Sequence, residues 1–403
     1  MSLRILLLSF FLGCIVPFTP AQVVAKLENQ VKTDKEITVG AKRLDLYLPM
    51  LKGKTVAIAG NQTSLIGGCH LVDSLLTLGI KIKLIFSPEH GFRGKQDAGQ
   101  EVNNSKDRKT GLPIVSLYGD HKKPSAKELS EIDVVVFDIQ DVGARFYTYL
   151  STLHYIMEAC AESKKELIIL DRPNPNGHYV DGPVMEDAHQ SFVGLHPVPI
   201  VYGMTIGEYA RMLNEEGWLG KGIRCNLRVI PLEGYSHSDL YQLPVAPSPN
   251  LQTMSAVYLY PSLCLFEGTC ISVGRGTEAP FEMIGHPKLQ GALFSFIPTS
   301  RIGAADPPYK GQKCMGYDLR EFGKVYMANN RRLYLFWLLG TYKNYPDKQQ
   351  YFNTYFTSLS GTSFLEKQVK EGKTEDEIRE SWKPALVKFK QIRKKYLLYP
   401  DFE

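Results

Sequence analysis

The densest group of chemically capable side chains in this sequence is the run S-P-E-H-G-F-R-G at residues 87–94. It places a carboxylate (Glu89), an imidazole (His90) and a guanidinium (Arg93) in one loop punctuated by Gly91 and Gly94. Two later stretches have the same character: D-I-Q-D-V-G-A-R, with Asp138, Gln140, Asp141 and Arg145, and D-R-P-N-P-N-G, with Asp171, Arg172 and Asn174. A Gly-rich stretch adds Glu267, Arg275 and Glu278. Two carboxyl groups flanking a bond is the arrangement for glycoside hydrolysis, one as acid and one as base or nucleophile. Glu89, Asp138, Asp141 and Glu278 are the catalytic candidates on that reading, with Asp171 and Glu267 as further carboxylates. Tyr147 and Tyr149 offer aromatic faces for a sugar ring, and Asn61 and Asn174 offer amides for its hydroxyls. His90 and Gln140 join the substrate-binding candidates. Arg93, Arg145, Arg172 and Arg275 exceed what a neutral sugar needs and fit an anionic substrate through bidentate pairing. For any one of these residues a structural ion pair is the plain alternative; the clustering is what argues for a site.

The elements that must position these loops are legible from periodicity. Residues 54–59 (K-T-V-A-I-A), 80–86, 113–117, 133–139 (D-V-V-V-F-D-I) and 166–170 are short apolar runs that read as buried strands. Residues 71–78 and 146–161 carry apolar residues at helical spacing, and Ser125 with Glu128 three residues on reads as a capping box. Strand, helix, strand at the start implies a βαβ unit and an α/β fold with a mostly parallel sheet. The polar loops after Phe86, Ile139 and Leu170 then share the carboxyl edge of that sheet, where such folds bind ligands, and are expected to face one crevice. Residues 198–201, a helix over 205–218 with Glu208 at its third position, and a strand at 226–230 complete this section. The proline-rich 246–250 marks the expected domain boundary. Beyond it the sequence predicts a strand at 293–297, a helix over 333–342, and a helix over 376–396 whose Trp382, Leu386, Phe389, Ile392 and Tyr396 recur at helical spacing, a packing stripe.

With 403 residues the chain is long for one core, so two domains are expected. Hydrophobic residues at 44%, charged residues at 22% and a net charge of +5 describe a folded soluble protein, and no basic stretch interleaved with aromatics points to nucleic acid. Arg4 precedes an apolar run at residues 5–16 that is too short to span a bilayer, and Pro17, Pro20 and Ala21 follow; this reads as a signal peptide over 1–21, with no stable membrane insertion once it is removed. Cys14 lies in a faint lipoprotein-like box. The six other cysteines form no C-x-x-C pair, and several sit in apolar surroundings, so buried thiols are expected rather than zinc ligands. No histidine pair has H-x-x-x-H spacing, and neither a G-x-x-x-x-G-K-[ST] loop, a full dinucleotide fingerprint nor a G-x-S-x-G elbow is present. No metal and no cofactor is expected.

Longer motifs carry a resemblance. S-P-E-H-G-F-R-G at 87–94, D-I-Q-D-V-G-A-R-F-Y-T-Y at 138–149, L-D-R-P-N-P at 170–175, Y-G-M-T-I-G-E at 202–208, S-P-N at 248–250 and E-G-T-C-I-S-V-G-R-G-T-E at 267–278 resemble, in order, the secreted exo-β-N-acetylmuramidases of peptidoglycan turnover. Most such motifs have Asn where Cys270 stands. The resemblance implies a Rossmann-like domain, taken here as residues 46–247 after an extension over 22–45, and a smaller C-terminal α/β domain, 248–403, completing a cleft. It implies release of terminal N-acetylmuramic acid from the non-reducing end of peptidoglycan fragments such as MurNAc-GlcNAc. On the family's logic Glu89 is the general acid; Asp138, Asp141, Glu278 or the substrate's own acetamide is its partner. The lactyl carboxylate of muramic acid would explain the surplus of arginines. The rival readings are a non-catalytic binder of cell-wall fragments in the same crevice, or an ester or amide hydrolase using a hydroxyl of residues 60–64. The leader implies a periplasmic or extracellular location.

Overall fold

Six of the apolar runs form parallel strands: β1 (Thr55–Gly60), β2 (Lys81–Ser87), β3 (Pro113–Ser116), β4 (Val134–Asp138), β5 (Glu166–Leu170) and β6 (Asn226–Ile230). The computed structural model describes residues 36–93, 105–327 and 329–403. The expected leader with Cys14, the extension up to residue 35 and residues 94–104 of the polar loop lie outside the described residues. In space the strands run β3-β2-β1-β4-β5-β6, every neighbouring pair parallel, with a two-residue antiparallel strand, Ser105–Lys106, beyond β3. This 3-2-1-4-5-6 order is that of doubly wound dinucleotide-binding sheets, and its topological switch falls between β1 and β4.

The strands read as continuous apolar runs because both faces of the sheet are covered. Side chains alternate between faces along a strand. Ala57, Ala59, Val135, Phe137, Leu167 and Ile169 enter one hydrophobic cluster; Val56, Ile58, Val134, Val136, Ile168 and Leu170 enter the other. Helices Leu71–Thr77, Ala126–Leu129, Tyr149–Glu162 and Ile206–Glu215 connect them. The capping boxes at Ser125/Glu128 and Thr205/Glu208 form as the sequence predicts. Ahead of β1, the helix Leu44–Leu51 buries Tyr47 and Leu51.

One strand expectation needs correction. Residues 198–201 do not join the main sheet: Pro199–Val201 pairs antiparallel with Asp181–Val184 in a separate two-stranded ribbon. A short apolar run carries no information about its partner.

The C-terminal half opens with the helix Met254–Leu263 and contains a three-stranded antiparallel sheet with Cys314–Asp318 between Met283–His286 and Phe294–Phe296. Helices Phe336–Asn344, Tyr355–Ser360, Phe364–Lys370 and Glu375–Lys394 follow. The larger hydrophobic cluster runs without a break from Phe137 on the sheet through Leu259, Phe266 and Phe356 to Trp382 and Phe389. The proline-rich 246–250 stretch is stitched into this body: the Gln62 amide donates to the Ala246 and Pro247 carbonyls at 3.2 and 2.9 Å, and the Tyr149 hydroxyl donates to Pro247 at 3.2 Å. Among the described residues no helix is long and apolar enough to cross a membrane. The six cysteines among the described residues are free thiols; Cys160, Cys225, Cys264 and Cys314 are buried, whereas Cys69 is exposed and Cys270 half-buried.

Candidate active site

A cleft of about 780 Å³ opens where the carboxyl ends of β2 and β3 meet the C-terminal half. Its size suits a ligand of a few hundred daltons. Pro88 stops β2 and the chain turns at once, with the Gly91 amide donating to the Pro88 carbonyl at 3.1 Å. That turn lifts Glu89 and His90 onto the cleft wall. His90 takes φ of 69° and Gly91 of 74°. A non-glycine residue held in the left-handed region costs about 1 kcal/mol or more, and such strain collects at functional sites. Phe281, on the opposite wall, is also left-handed, at φ of 60°.

Glu89 is held by hydroxyls. Thr148 stands at the N-cap of the Tyr149–Glu162 helix but does not cap it; its Oγ1 instead donates to Glu89 Oε2 at 2.8 Å. The Tyr118 phenol, just past β3, also bonds Glu89, and burial, with the adjacent carboxylate, pushes that phenol's pKa up. Across the cleft Glu267 accepts from Arg275 Nε at 2.7 Å, and the Arg275 guanidinium lies 5.0 Å from the Phe281 ring. Burial works to lower the Arg275 pKa, yet the Glu267 charge wins and raises it. Among the described residues the buried Nη1 of Arg275 has no hydrogen-bond partner. The Tyr355 phenol senses both sides: burial raises its pKa most, and the charges of Glu267 and Glu89 add to it. An aromatic chain joins the two halves, Tyr149 to Tyr147 at 4.6 Å, Tyr147 to Tyr260 at 5.7 Å and Tyr260 to Phe281 at 5.0 Å. On the far rim Lys122 sits 5.1 Å over Phe192.

Of the sequence-derived candidates, Glu89, His90, Tyr147 and Arg275 line this cleft, as do Tyr149 and Glu267. The others do not. Asp138 is fully buried and ion-paired with Arg172, at 2.6 Å to Nε and 2.9 Å to Nη2. Asp171 accepts from Thr205 Oγ1 (2.7 Å), Gly207 N (2.8 Å) and Tyr399 OH (2.5 Å), tying the tail and the Ile206–Glu215 helix to β5. Asn174 bonds the Met204 carbonyl and the Asn176 amide, and Gln140 bonds the Asp141 and Pro173 carbonyls. Asn61 bonds Thr63 and Tyr149. Asp141 accepts from Tyr202 OH and from Gly143 N at 2.6 Å; burial raises its pKa to about 6. The buried Arg145 guanidinium spends Nη1 on the Pro183 and Val198 carbonyls and Nη2 on Leu359, at 2.8–2.9 Å, and burial lowers its pKa to about 9. Arg93 pairs with Asp107 at 2.9 Å. Glu278 is 82% exposed, beside a second depression, 3.6 Å from Arg301.

The expectation that three strand tips share one crevice is therefore corrected. The tip after β2 reaches the cleft, the tip after β4 does so only through residues 146–149, and the tip after β5 is consumed inside the fold. Arginines 93, 145 and 172 are committed to internal partners, so they do not account for an anionic substrate. Sequence reasoning also passed over Tyr118, Thr148, Asn250, Tyr260 and Tyr355. Tyr118 had a usable signal: it follows a predicted strand end, the same position that singled out Glu89.

The family model described as exo-beta-N-acetylmuramidase NamZ, N-terminal, matches residues 56–255, and its C-terminal counterpart matches residues 258–399. The chain belongs to this family. It is 36% identical to the peptidoglycan beta-N-acetylmuramidase NamZ of Bacillus subtilis (strain 168), over 94% of this chain and 96% of that protein. Two solved DUF1343 family proteins from Bacteroides fragilis NCTC 9343 share the fold. One is 44% identical, with a TM-score of 0.84, covering 91% of this chain and 99% of its own. The other is 29% identical, with a TM-score of 0.75, covering 90% and 99%. The exo-beta-N-acetylmuramidase family is one of glycoside hydrolases, whose chemistry rests on carboxyl groups, and Glu89 and Glu267 are carboxylates that line this cleft.

Proposed function

We propose that this protein is an exo-acting glycoside hydrolase that removes terminal N-acetylmuramic acid from the non-reducing end of peptidoglycan-derived saccharides, with Glu89 as the general acid. The observation carrying this is the placement of Glu89 on the wall of an aromatic-lined cleft, in reach of Thr148 and Tyr118 and facing the Glu267–Arg275 pair. Family membership supplies the substrate class.

In this reading Tyr147, Tyr260 and Phe281 pack on sugar faces, and the unpartnered Arg275 Nη1 donates to the lactyl carboxylate. An acid must be protonated before it can serve a leaving oxygen. Glu267, ion-paired with Arg275, is a second carboxylate on the cleft wall and the partner candidate for Glu89. With residues 1–21 as a signal peptide, the enzyme acts after export, in the periplasm or outside the cell.

The test is digestion of MurNAc-GlcNAc by purified protein, read by mass spectrometry. Release of free MurNAc is expected from wild type, and Glu89→Gln should lose about two to four orders of magnitude in kcat. Tight binding with no product would make the protein a muropeptide binder instead.

A further inference from the structure

Beside the main cleft lies a second depression of about 380 Å³, whose lining includes Asn250, Gln252, Thr277, Glu278, Arg301 and Ala304. The two spaces share a wall: Asn250 lines both, and the 274–278 loop presents Arg275 to one and Gly276 to Glu278 to the other. The depression has a built floor. The Asn250 side-chain amide donates to the Gly303 carbonyl at 2.9 Å, holding the 301–304 turn, which closes on itself between Arg301 and Ala304 at 3.0–3.1 Å. A side chain at Gly303 would meet Pro249 at 2.8 Å, and one at Gly276 would meet the Thr299 carbonyl at 2.5 Å. Neither position has room for more than glycine.

The charges here are of a different kind from those buried in the fold. Arg301 and Glu278 are 3.6 Å apart and 45% and 82% exposed, so their mutual attraction is weak. A guanidinium in that state can take a second carboxylate at little cost. The cleft and the depression, about 780 and 380 Å³, both fall in the range of small-molecule sites, about 300–1,000 Å³. Peptidoglycan glycan alternates its two sugars, so a strand entering with muramic acid in the cleft has its next muramic acid two sugars along.

We propose that the second depression binds this next N-acetylmuramic acid of a longer glycan strand, with Arg301 pairing its lactyl carboxylate and Gln252 and Thr277 meeting its polar groups. The inference rests on the muramidase reading above and adds a preference for chain length to it. Glu278 competes with the incoming carboxylate for Arg301, which makes it a tuning residue and not a catalytic one.

The experiment compares initial rates on the peptide-free disaccharide MurNAc-GlcNAc and the tetrasaccharide built from two such units. Wild type should show a KM for the tetrasaccharide lower by about fivefold, the worth of one partly exposed ion pair. Arg301→Ala should abolish that advantage while leaving disaccharide kinetics unchanged, and Glu278→Gln should widen it. Equal KM values for the two substrates in wild type would overturn the proposal, as would an Arg301→Ala loss of the same size on the disaccharide. If wild type hydrolyses neither substrate, the muramidase reading itself fails and takes this inference with it.

Discussion

Glu89 and Asp138 are both carboxylates at the carboxyl edge of one sheet, and they meet opposite fates. Asp138 is the last residue of β4, a central strand at the topological switch, fully buried and clamped by Arg172. Glu89 lies two residues beyond the end of β2, on a strained turn, where the Thr148 and Tyr118 hydroxyls bond its carboxylate. The crevice that doubly wound sheets usually offer at the switch is filled here. Ser64 Oγ bonds the Asp138 carbonyl, Thr63 Oγ1 accepts from the Gln140 amide at 3.0 Å, and Asn61 meets Tyr149 at 3.1 Å. The open space is displaced toward β2 and β3, where the C-terminal half covers the edge. The general rule locates the correct side of the sheet. Which position along that edge stays open depends on what the rest of the chain packs into it.

The sharpest break in this comparison is expected from Glu89→Gln. Removing an acid without changing shape should cost about two to four orders of magnitude in kcat while unfolding in urea stays within about 0.5 kcal/mol of wild type. Asp138→Leu should do the reverse. It leaves the Arg172 guanidinium buried without its counter-charge, an uncompensated charge worth about 3–5 kcal/mol of stability. Activity per folded molecule should hold within a few-fold. A hundredfold loss of turnover at unchanged stability would move Asp138 into the chemistry and erase the distinction.

The fold was open to reading because its signals are local. Strands buried on both faces are unbroken apolar runs, and capping boxes such as Thr205/Glu208 sit within four residues. Glu89 was also legible, since proline after an apolar strand fixes where the turn begins. What could not be read was the partner of each arginine. Arg145 reaches Leu359, 214 residues away, and Asp171 reaches Tyr399, 228 residues away. An arginine bound to three carbonyls and one awaiting a substrate look the same in sequence. The buried tier beneath the cleft therefore mimicked a second set of ligand groups.

That tier has its own signature in acid. Burial raises both Asp141 and Asp171 from ordinary carboxylate values to about 6. A carboxyl with a raised folded-state pKa binds a proton in the native state where the unfolded chain has already released it. Each group's contribution is thus most favourable below about pH 4 and is lost as pH rises to about 6, on the order of 3 kcal/mol apiece at most. Asp141→Asn should flatten that decline in urea midpoints measured from pH 4 to 7. An unchanged slope would mean the Asp141 carboxyl is ionised throughout, like an exposed one.

The smallest effect expected separates the two roles of one hydroxyl. Tyr399 OH donates to Asp171 at 2.5 Å and accepts from the Leu232 amide at 2.9 Å. Tyr399→Phe should cost about 1–2 kcal/mol, because both buried groups lose a partner. The hydrogen bond to Asp171 favours its ionised form, so losing it pushes the folded-state pKa higher still. The native state then keeps its proton over a wider range, and the deficit against wild type must grow between pH 5 and pH 8. Equal deficits at the two pH values would show that the hydroxyl serves only the Leu232 amide. Asp171 would then be held by Thr205, Gly207 and the Arg172 amide, and the tail would be a lid on the buried tier, not a member of it.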